Sequence, residues 1–193
     1  RSLRYQVNPH FLFNTLNSLS SLVMKDRRDE AEQMIMSLSN FYRTSLTGDP
    51  LDDVPLAEEV HLQKLYLDIE AVRFPDRLKT AIDIPPALLN ACVPGLILQP
   101  VVENAIKYGV SRTAQPVEIR ITAREDGDLM HINVTDDGPN PPGQGDGGSG
   151  SGLANVRDRL TARFGDSGRI VSSPRDAGGF AELLTLPIIR RGC

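Results

Sequence analysis

The first fifty residues carry apolar positions at a helical period. Four apolar residues recur at i, i+4, i+7 and i+11 and so share one stripe of a helix: Leu12, Leu16, Leu19 and Val23. The opposite stripe carries four polar residues: His10, Asn14, Asn17 and Ser21. Pro9 has no amide hydrogen and is expected to disturb the helix one residue before His10. The pattern predicts an amphipathic helix that presents the His10 imidazole to solvent, although a lone histidine on such a face is more often an ordinary surface residue.

A second helix is predicted over residues 29–46, where apolar side chains again recur at helical spacing. The charged segment 25–29 joins the two helices tightly, as in an antiparallel hairpin. One hairpin has too little core to stand alone, so we expect it to bury its apolar stripes against a second copy as a dimeric four-helix bundle. Gly48 and Pro50 are stop signals for the second helix. The chain is therefore expected to divide into a hairpin, residues 1–49, and a second domain, residues 50–193.

The second domain mixes two periods. Helical spacing predicts helices over residues 56–74, 93–108 and 153–164. Alternation, or short apolar runs between Gly and Pro signals, predicts strands over residues 77–84, 117–123, 129–135, 170–173 and 180–187. Helices and mostly antiparallel strands in this order are typical of a two-layer α/β sandwich. The predicted fold class is α+β, a helical hairpin followed by that sandwich.

Composition narrows the classes of protein. The formal net charge of -4 argues against a nucleic-acid binder held by phosphate contacts. The only cysteines, Cys92 and Cys193, form no CxxC pair, so the sequence indicates neither a disulfide scaffold nor a zinc site. We find no apolar run of membrane-spanning length and no signal peptide. Because the chain starts at Arg1 inside a helical pattern, we expect a fragment whose upstream part has been removed.

Polar side chains interrupt the predicted apolar helix at residues 103–109. Asn104 could hold Mg²⁺ through its carboxamide oxygen while the ion keeps waters and bridges phosphates. Taken alone, an asparagine that caps a neighbouring turn is the commoner case. Lys107 lies about one turn further on and could reach a phosphate as a point charge, although a solvated surface lysine is the default.

Glycines accompany two further polar positions. Asp136 follows a predicted strand and could accept a hydrogen bond from the exocyclic amine of adenine, and Gly138 would let the backbone approach the ring. A plain hairpin turn is the better interpretation of Asp-Asp-Gly in isolation. Gly150 and Gly152 precede the helix that starts near Leu153, where free amides and the helix dipole favour an anion such as a triphosphate. Short glycine motifs are weak evidence singly, but their order here forms a joint pattern.

These motifs, in this order and over nearly the whole chain, resemble the catalytic core of LytS-type sensor histidine kinases. Residues 9–14 are similar to the family's phosphoacceptor box and residues 103–107 to its N box; residues 136–138 and 150–153 are similar to its two glycine boxes. The resemblance implies a phosphoacceptor hairpin joined to a Bergerat-type ATP-binding domain, of the superfamily shared by gyrase, heat-shock chaperones, histidine kinases and MutL.

The resemblance also implies ligands and partners. It implies Asn104 as the Mg²⁺ ligand and a set of nucleotide-binding residues: Asn104, Lys107, Tyr108, Asp136, Gly138, Gly150, Gly152 and Leu153. The implied partners are a second copy of the chain and a response-regulator receiver domain. An upstream sensor, frequently membrane-embedded, would make this chain the cytoplasmic portion. The chain departs from the family pattern at Tyr108, commonly His, and at Asn140, often Gly.

We hypothesise in-line transfer of the γ-phosphoryl group of ATP to a ring nitrogen of His10, which is already nucleophilic near pH 7. Many histidine kinases carry an acid directly after the acceptor, whereas this chain has Phe11, so Glu103 is the candidate base and Asn14 could orient the ring. Pro100 occupies the position of the carboxylate in ATP-hydrolysing relatives, which favours a kinase over a mechanical ATPase.

Three alternatives stay open. The chain could be a nucleotide-binding dimeric scaffold that leaves His10 unmodified, and the intact set of His10, Asn104 and glycines argues against this. It could be a phosphatase-biased sensor, which the sequence does not exclude. The least favoured alternative is a structural helical dimer with a degenerate sandwich.

Overall fold

The computed structural model describes residues 8–49, 51–139 and 151–193. Helices α1 (Pro9–Met24) and α2 (Arg28–Leu46) form the predicted hairpin around a short turn in which Asp26 has a φ of 55°. The expectation that Pro9 disturbs α1 was wrong. Pro9 is the first residue of the helix, where a missing amide hydrogen costs no hydrogen bond, and the Asn8 side chain caps the helix start.

The hairpin packs against the first helix of the second half of the chain. Strand β1 (Asp53–Pro55) leads directly into α3 (Leu56–Arg73), which contacts both α1 and α2. The ring of Phe11 lies 5.4 Å from that of Phe41 and 5.0 Å from that of Tyr66, so one aromatic cluster joins all three helices.

The stripe that the sequence predicted as the buried face of α1 is largely not buried within one chain. The buried positions of α1 are Phe11, Thr15 and Leu22, whereas Leu16 is 48 % exposed and Val23 is 65 % exposed. The difference arises because α3 covers the face that carries Phe11, and the local period of α1 does not reveal that neighbour.

The remaining elements form an α/β sandwich. The strands are, in chain order, β2 (Leu78–Asp83), β3 (Cys92–Pro94), β4 (Val117–Asp126), β5 (Leu129–Asp136), β6 (Arg169–Pro174) and β7 (Phe180–Pro187). The main sheet has the order β2-β4-β5-β7-β6, and only its β2–β4 pair is parallel. β1 pairs with β3 apart from it. The predicted α+β class and two-layer architecture are confirmed.

Helices α3, α4 (Gln99–Asn104) and α5 (Ser151–Phe164) contribute the other layer. Alternate residues of the central strands bury their side chains in the core, as in Ile119 and Ile121 of β4 and Ile132 and Val134 of β5. The helix predicted over residues 93–108 is wrong in its first part. Strand β3, which ends at Pro94, is followed by Gly95 and by Leu96 in a left-handed conformation (φ 60°), and α4 begins only after them. The apolar residues at the start of this run are mostly buried, and periodicity alone cannot separate strand from helix in such a run.

The two cysteines are joined. Cys92 in β3 and Cys193 form a disulfide across a sequence separation of 101, and the Ile189 carbonyl accepts the Cys92 amide at 2.6 Å. The cysteine spacing did not indicate this bond, because the pairing depends on the return of the last residues to β3. Within the described ranges, no helix has both the length and the apolarity needed to cross a bilayer. The division of the chain near residue 50 stays a prediction.

Candidate active site between the hairpin and the sheet

His10 lies exposed in the first turn of α1. The Asn8 side-chain oxygen accepts the amides of His10 at 3.1 Å and Phe11 at 3.4 Å, which is a side-chain N-cap. Phe11 is only 4 % exposed in the aromatic cluster. Successive helical side chains point about 100° apart, so the burial of Phe11 turns its neighbour His10 towards solvent. The solvent-facing imidazole that the sequence predicted is thus present, and its role stays a prediction.

Asn14 differs from its expected environment on the polar stripe. Asn14 as a whole is half-buried, and its side-chain nitrogen is a buried donor with no hydrogen-bond partner among the described residues. Its own carbonyl accepts the Ser18 hydroxyl at 3.0 Å. Burial of an amide donor without a partner costs free energy. The Asn14 nitrogen is therefore a donor that a ligand or a neighbouring ring near the start of α1 could satisfy.

Glu103 of α4 lies where α1, α2 and α3 meet the ATP-binding half predicted from sequence. Its carboxylate accepts the Gln99 side-chain amide at 3.0 Å and a hydrogen bond from the Asn8 side chain. Burial raises the pKa of Glu103, and these two hydrogen bonds oppose the rise. The sequence could not establish whether Glu103 faces the acceptor; in the structure it contacts the residue two positions before His10.

Two more titratable groups face Glu103 from the neighbouring helices. Burial raises the pKa of Glu70 on α3 to about 7; the Arg73 guanidinium, 3.4 Å away, opposes the rise and Glu103 adds to it. Burial, followed by the charge of Glu103, also raises the pKa of the Tyr42 hydroxyl on α2. The Glu103 carboxylate is therefore held in a poorly solvated position among other acidic groups.

Asp136 ends β5 under three closely packed glycines. Its carboxylate is 7 % exposed and accepts the Gly138 amide at 3.0 Å. A Cβ atom on Gly109 would lie 2.8 Å from the Asp136 Cγ, and one on Gly138 would lie 2.7 Å from the Gly109 Cα. A Cβ on Gly179 would overlap the Asp136 carbonyl oxygen. Only glycine permits the backbones of residues 109 and 179 to approach Asp136 and the backbone of residue 138 to approach Gly109. Burial raises the pKa of Asp136.

The N box spans the end of α4 and the start of a π-helical turn (Ala105–Val110), a feature frequent at functional sites. Asn104 is the last residue of α4 and is half-buried. Lys107 is exposed, and its ammonium lies 5.0 Å from the centre of the Tyr108 ring; the Arg112 guanidinium lies 4.7 Å from the same ring. The turn thus gathers two cations around Tyr108, next to Asn104.

The start of α5 abuts α4. A Cβ on Gly152 would lie 3.3 Å from the Pro100 Cβ, and Leu153 is buried at 4 % exposure. Arg159 donates to the Gly95 carbonyl at 2.8 Å, and buried Glu59 accepts the Leu96 and Leu98 amides in the same connection. These hydrogen bonds hold the segment between β3 and α4 in place. Gly150 lies outside the described residues.

Four contributors were missed by sequence reasoning: Asn8, Gln99, Arg175 and Gly179. Arg175 donates to the Asp136 carbonyl at 2.9 Å, and Gln99 holds Glu103. Asn before Pro9 is a recognisable N-cap signal, and the Gly178-Gly179 pair marks a special turn. Arg175 has no local signal because its partner is a backbone carbonyl 39 positions away. Gln99 and Glu103 are four residues apart, a spacing that permits their contact on a helix but does not reveal it.

Comparison with known proteins identifies two matching family models. Residues 1–78 match the model described as histidine kinase. Residues 94–189 match the model described as histidine kinase-, DNA gyrase B-, and HSP90-like ATPase.

Named relatives match across both halves. Sensor histidine kinase YesM of Bacillus subtilis is 34% identical over 190 residues, which are 97% of this chain and 33% of the relative. Sensor protein LytS of Enterococcus faecalis is 29% identical over 97% of this chain and 34% of the relative. Sensor histidine kinase BtsS of Escherichia coli is 40% identical over 85% of this chain and 29% of the relative. The chain spans about a third of the length of these curated relatives.

Solved structures share the fold. The catalytic domain of histidine kinase ThkA has a TM-score of 0.55 at 17% identity and covers 70% of this chain and 94% of that domain. ThkA crystallised with the response regulator TrrA has a TM-score of 0.54 at 14% identity, over 94% of this chain and 60% of that one. With both halves matched by sequence and by fold, the chain belongs to the LytS-type sensor histidine kinases.

Proposed function

We propose that this chain is the autophosphorylating core of a sensor kinase that transfers the γ-phosphoryl group of ATP to His10. The observation that carries the proposal is the juxtaposition at the start of α1. An exposed imidazole lies two residues from Asn8, whose side chain hydrogen-bonds Glu103, the first residue of the N box. The acceptor helix and the nucleotide-binding half therefore meet next to His10.

The transfer consists of one substitution at phosphorus. A ring nitrogen of His10 forms a bond to the γ-phosphorus as the bond to the β,γ-bridging oxygen breaks, and ADP leaves with that electron pair. The ring proton passes to the Glu103 carboxylate. Burial raises the pKa of Glu103 and so brings it closer to the pKa of imidazole, which suits a base working near neutral pH. The unpartnered Asn14 donor is available to orient the imidazole.

The nucleotide would bind between the π-helical turn, the Asp136 glycines and the start of α5. The Asp136 carboxylate, which keeps 7 % of its exposure, would accept a hydrogen bond from the adenine amine. Lys107 and Tyr108 would contact the phosphates, and Gly152 and Leu153 would supply amides from the start of α5. A role for Gly150 stays a prediction from sequence. Asn104 offers the hard oxygen that Mg²⁺ prefers, and phosphate oxygens and water would complete the coordination.

The hairpin has an apolar face that suits a second copy of this chain. Its exposed apolar residues include Phe13 at 64 %, Val23 at 65 % and Leu46 at 58 % exposure. Burial of these side chains in a four-helix bundle would remove them from water. The homodimer, a response-regulator partner in a two-component system, and a cytoplasmic position below a membrane-anchored sensor are parts of the proposal. ThkA, a fold neighbour, was crystallised with a response regulator.

Incubation with γ-labelled ATP and Mg²⁺ tests the proposal. The label should be acid-labile and base-stable, as a phosphohistidine is. His10→Gln should abolish labelling and leave ATP binding intact, whereas Asp136→Asn should weaken ATP binding itself. Full labelling of His10→Gln would show that another residue is the acceptor. ATP binding without any labelling of the wild type would favour a nucleotide-binding scaffold.

A further inference from the structure

One side chain, Asn8, contacts both the acceptor helix and the nucleotide-binding half. Its oxygen accepts the His10 and Phe11 amides, which have no carbonyl partner at the start of a helix. Its NH₂ group remains available as a donor, and the Glu103 carboxylate accepts a hydrogen bond from this side chain. A single carboxamide thus caps α1 and ties that cap to α4.

Glu103 is itself held by one buried amide, which a second buried amide orients. The Gln99 side-chain nitrogen donates to Glu103 at 3.0 Å, and the Gln63 side-chain nitrogen donates to the Gln99 oxygen at 3.0 Å. Gln63 is 0% exposed and Gln99 is 1% exposed. We call these four residues, Gln63, Gln99, Glu103 and Asn8, the amide chain. Gln63 donates to the Gln99 oxygen and thereby directs the Gln99 nitrogen at Glu103, so the amide chain favours one orientation of the Glu103 carboxylate.

The amide chain runs within one polypeptide. Gln63 belongs to α3, Gln99 and Glu103 to α4, and Asn8 to the cap of α1. Phe11, one residue after His10, packs on Tyr66 of the same α3. Two independent contacts therefore hold the acceptor turn in its own chain: an aromatic contact against α3 and a polar contact with Glu103 of the N box.

We infer that Asn8 is a positioning residue that seats the acceptor turn against Glu103 of the same chain, so that His10 is phosphorylated in cis. The inference rests on the proposed function. A simpler role, that of a helix cap alone, would need only the Asn8 oxygen. The two roles differ in whether the donor half of the carboxamide matters.

Substitutions at residue 8 separate the two roles. Asn8→Asp keeps the cap acceptor, removes the donor and puts a carboxylate beside Glu103. Asn8→Ser keeps a cap acceptor on a shorter side chain. Both variants should lower the single-turnover labelling rate at saturating ATP by about tenfold to a hundredfold, because a misplacement of about 1 Å has such an effect. Their Kd for ATP should stay within about twofold of wild type, since a positioning residue leaves binding intact. Asn90→Asp, the same change at an exposed turn residue, should alter neither quantity.

Hydrogen exchange supplies a readout that needs no kinase activity. Asn8→Asp should speed exchange of the first-turn amides of α1. The double variant Asn8→Asp with Glu103→Gln reverses the donor and should restore protection, because the introduced amide can donate to the introduced carboxylate. Wild-type labelling rates in both Asn8→Asp and Asn8→Ser, or exchange that the double variant fails to restore, would overturn the positioning role.

Purified heterodimers test the direction of transfer. One subunit carries His10→Gln and the other carries Asp136→Asn, so the intact nucleotide site and the intact acceptor are on different chains. Transfer in cis predicts no label above that of the Asp136→Asn homodimer. Label on His10 of the Asp136→Asn subunit above that level would overturn the cis assignment. A wild-type chain that takes no label on His10 would overturn the proposed function itself, whatever the variants at residue 8 do.

Discussion

Replacement of Gly109 with alanine tests whether the glycines around Asp136 build a nucleotide site. The new Cβ would lie 2.8 Å from both the Cγ and the Oδ1 of Asp136. Non-bonded carbons prefer separations of about 3.5–4.0 Å, so the carboxylate would have to retreat by about 1 Å. Gly109 also touches the Gly138 backbone, so little room exists for the π-helical turn to retreat instead.

The expected loss of affinity follows from that displacement. The Asp136–Gly138 hydrogen bond is 3.0 Å long, and a bond lengthened by about 1 Å no longer counts as one. The bond that we propose with the adenine amine would be lost in the same way. A hydrogen bond to a charged group contributes about 1.5–3 kcal/mol, so the Kd for ATP should rise by about tenfold to 150-fold. Overpacking should also lower the free energy of unfolding by about 1–3 kcal/mol.

Isothermal titration with ATP and chemical denaturation measure the two effects separately. Gly127→Ala is the matched control: a Cβ there meets no atom within 4 Å, although its φ of +59° makes alanine strained. The control should lose about 1 kcal/mol of stability and keep the wild-type Kd. Wild-type affinity in Gly109→Ala, or an equal loss of affinity in Gly127→Ala, would refute the reasoning.

Three further outcomes are expected. Burial raises the pKa of Glu59 to about 7, above its unfolded value, so its contribution to stability is full below pH 4.5 and is lost as pH rises through 7. The wild type should lose about 3 kcal/mol over that window, and Glu59→Gln should lose correspondingly less in denaturation at several pH values. Val23→Glu should weaken the proposed dimer about tenfold or more in analytical ultracentrifugation, whereas Val171→Glu, also at an exposed valine, should not. Equal effects of the two substitutions would contradict the predicted interface. Reduction of the Cys92–Cys193 bond, or Cys193→Ser, should lower the free energy of unfolding by about 4–5 kcal/mol, and no change would mean that the bond does not form in solution.

Local pattern predicted most elements of this fold. The helix predicted over residues 56–74 is observed as Leu56–Arg73, and the strand predicted over residues 180–187 is observed as Phe180–Pro187. In both cases Gly or Pro signals bound a segment of clear character. The exposure of His10 was predicted because it shares a helical stripe with three other polar residues, Asn14, Asn17 and Ser21.

Long-range packing could not be predicted in this way. The face of α1 that carries Phe11 is buried because Phe41 of α2 and Tyr66 of α3 lie against it. The hydrogen bond from Gln63 to Gln99 spans 36 positions, and the disulfide spans 101. A single sequence contains the residues of these contacts but no local sign that they meet. The amide chain therefore became visible only in the folded chain.

The central claim is that His10 accepts the phosphoryl group. The most direct test is mass spectrometry, under alkaline conditions that preserve phosphohistidine, of wild-type protein after reaction with ATP and Mg²⁺. We predict a single phosphoryl group on the peptide that contains His10, with fragment ions that place it on that imidazole. A protein that binds ATP but carries the phosphoryl group on another residue, or on none, would contradict the account.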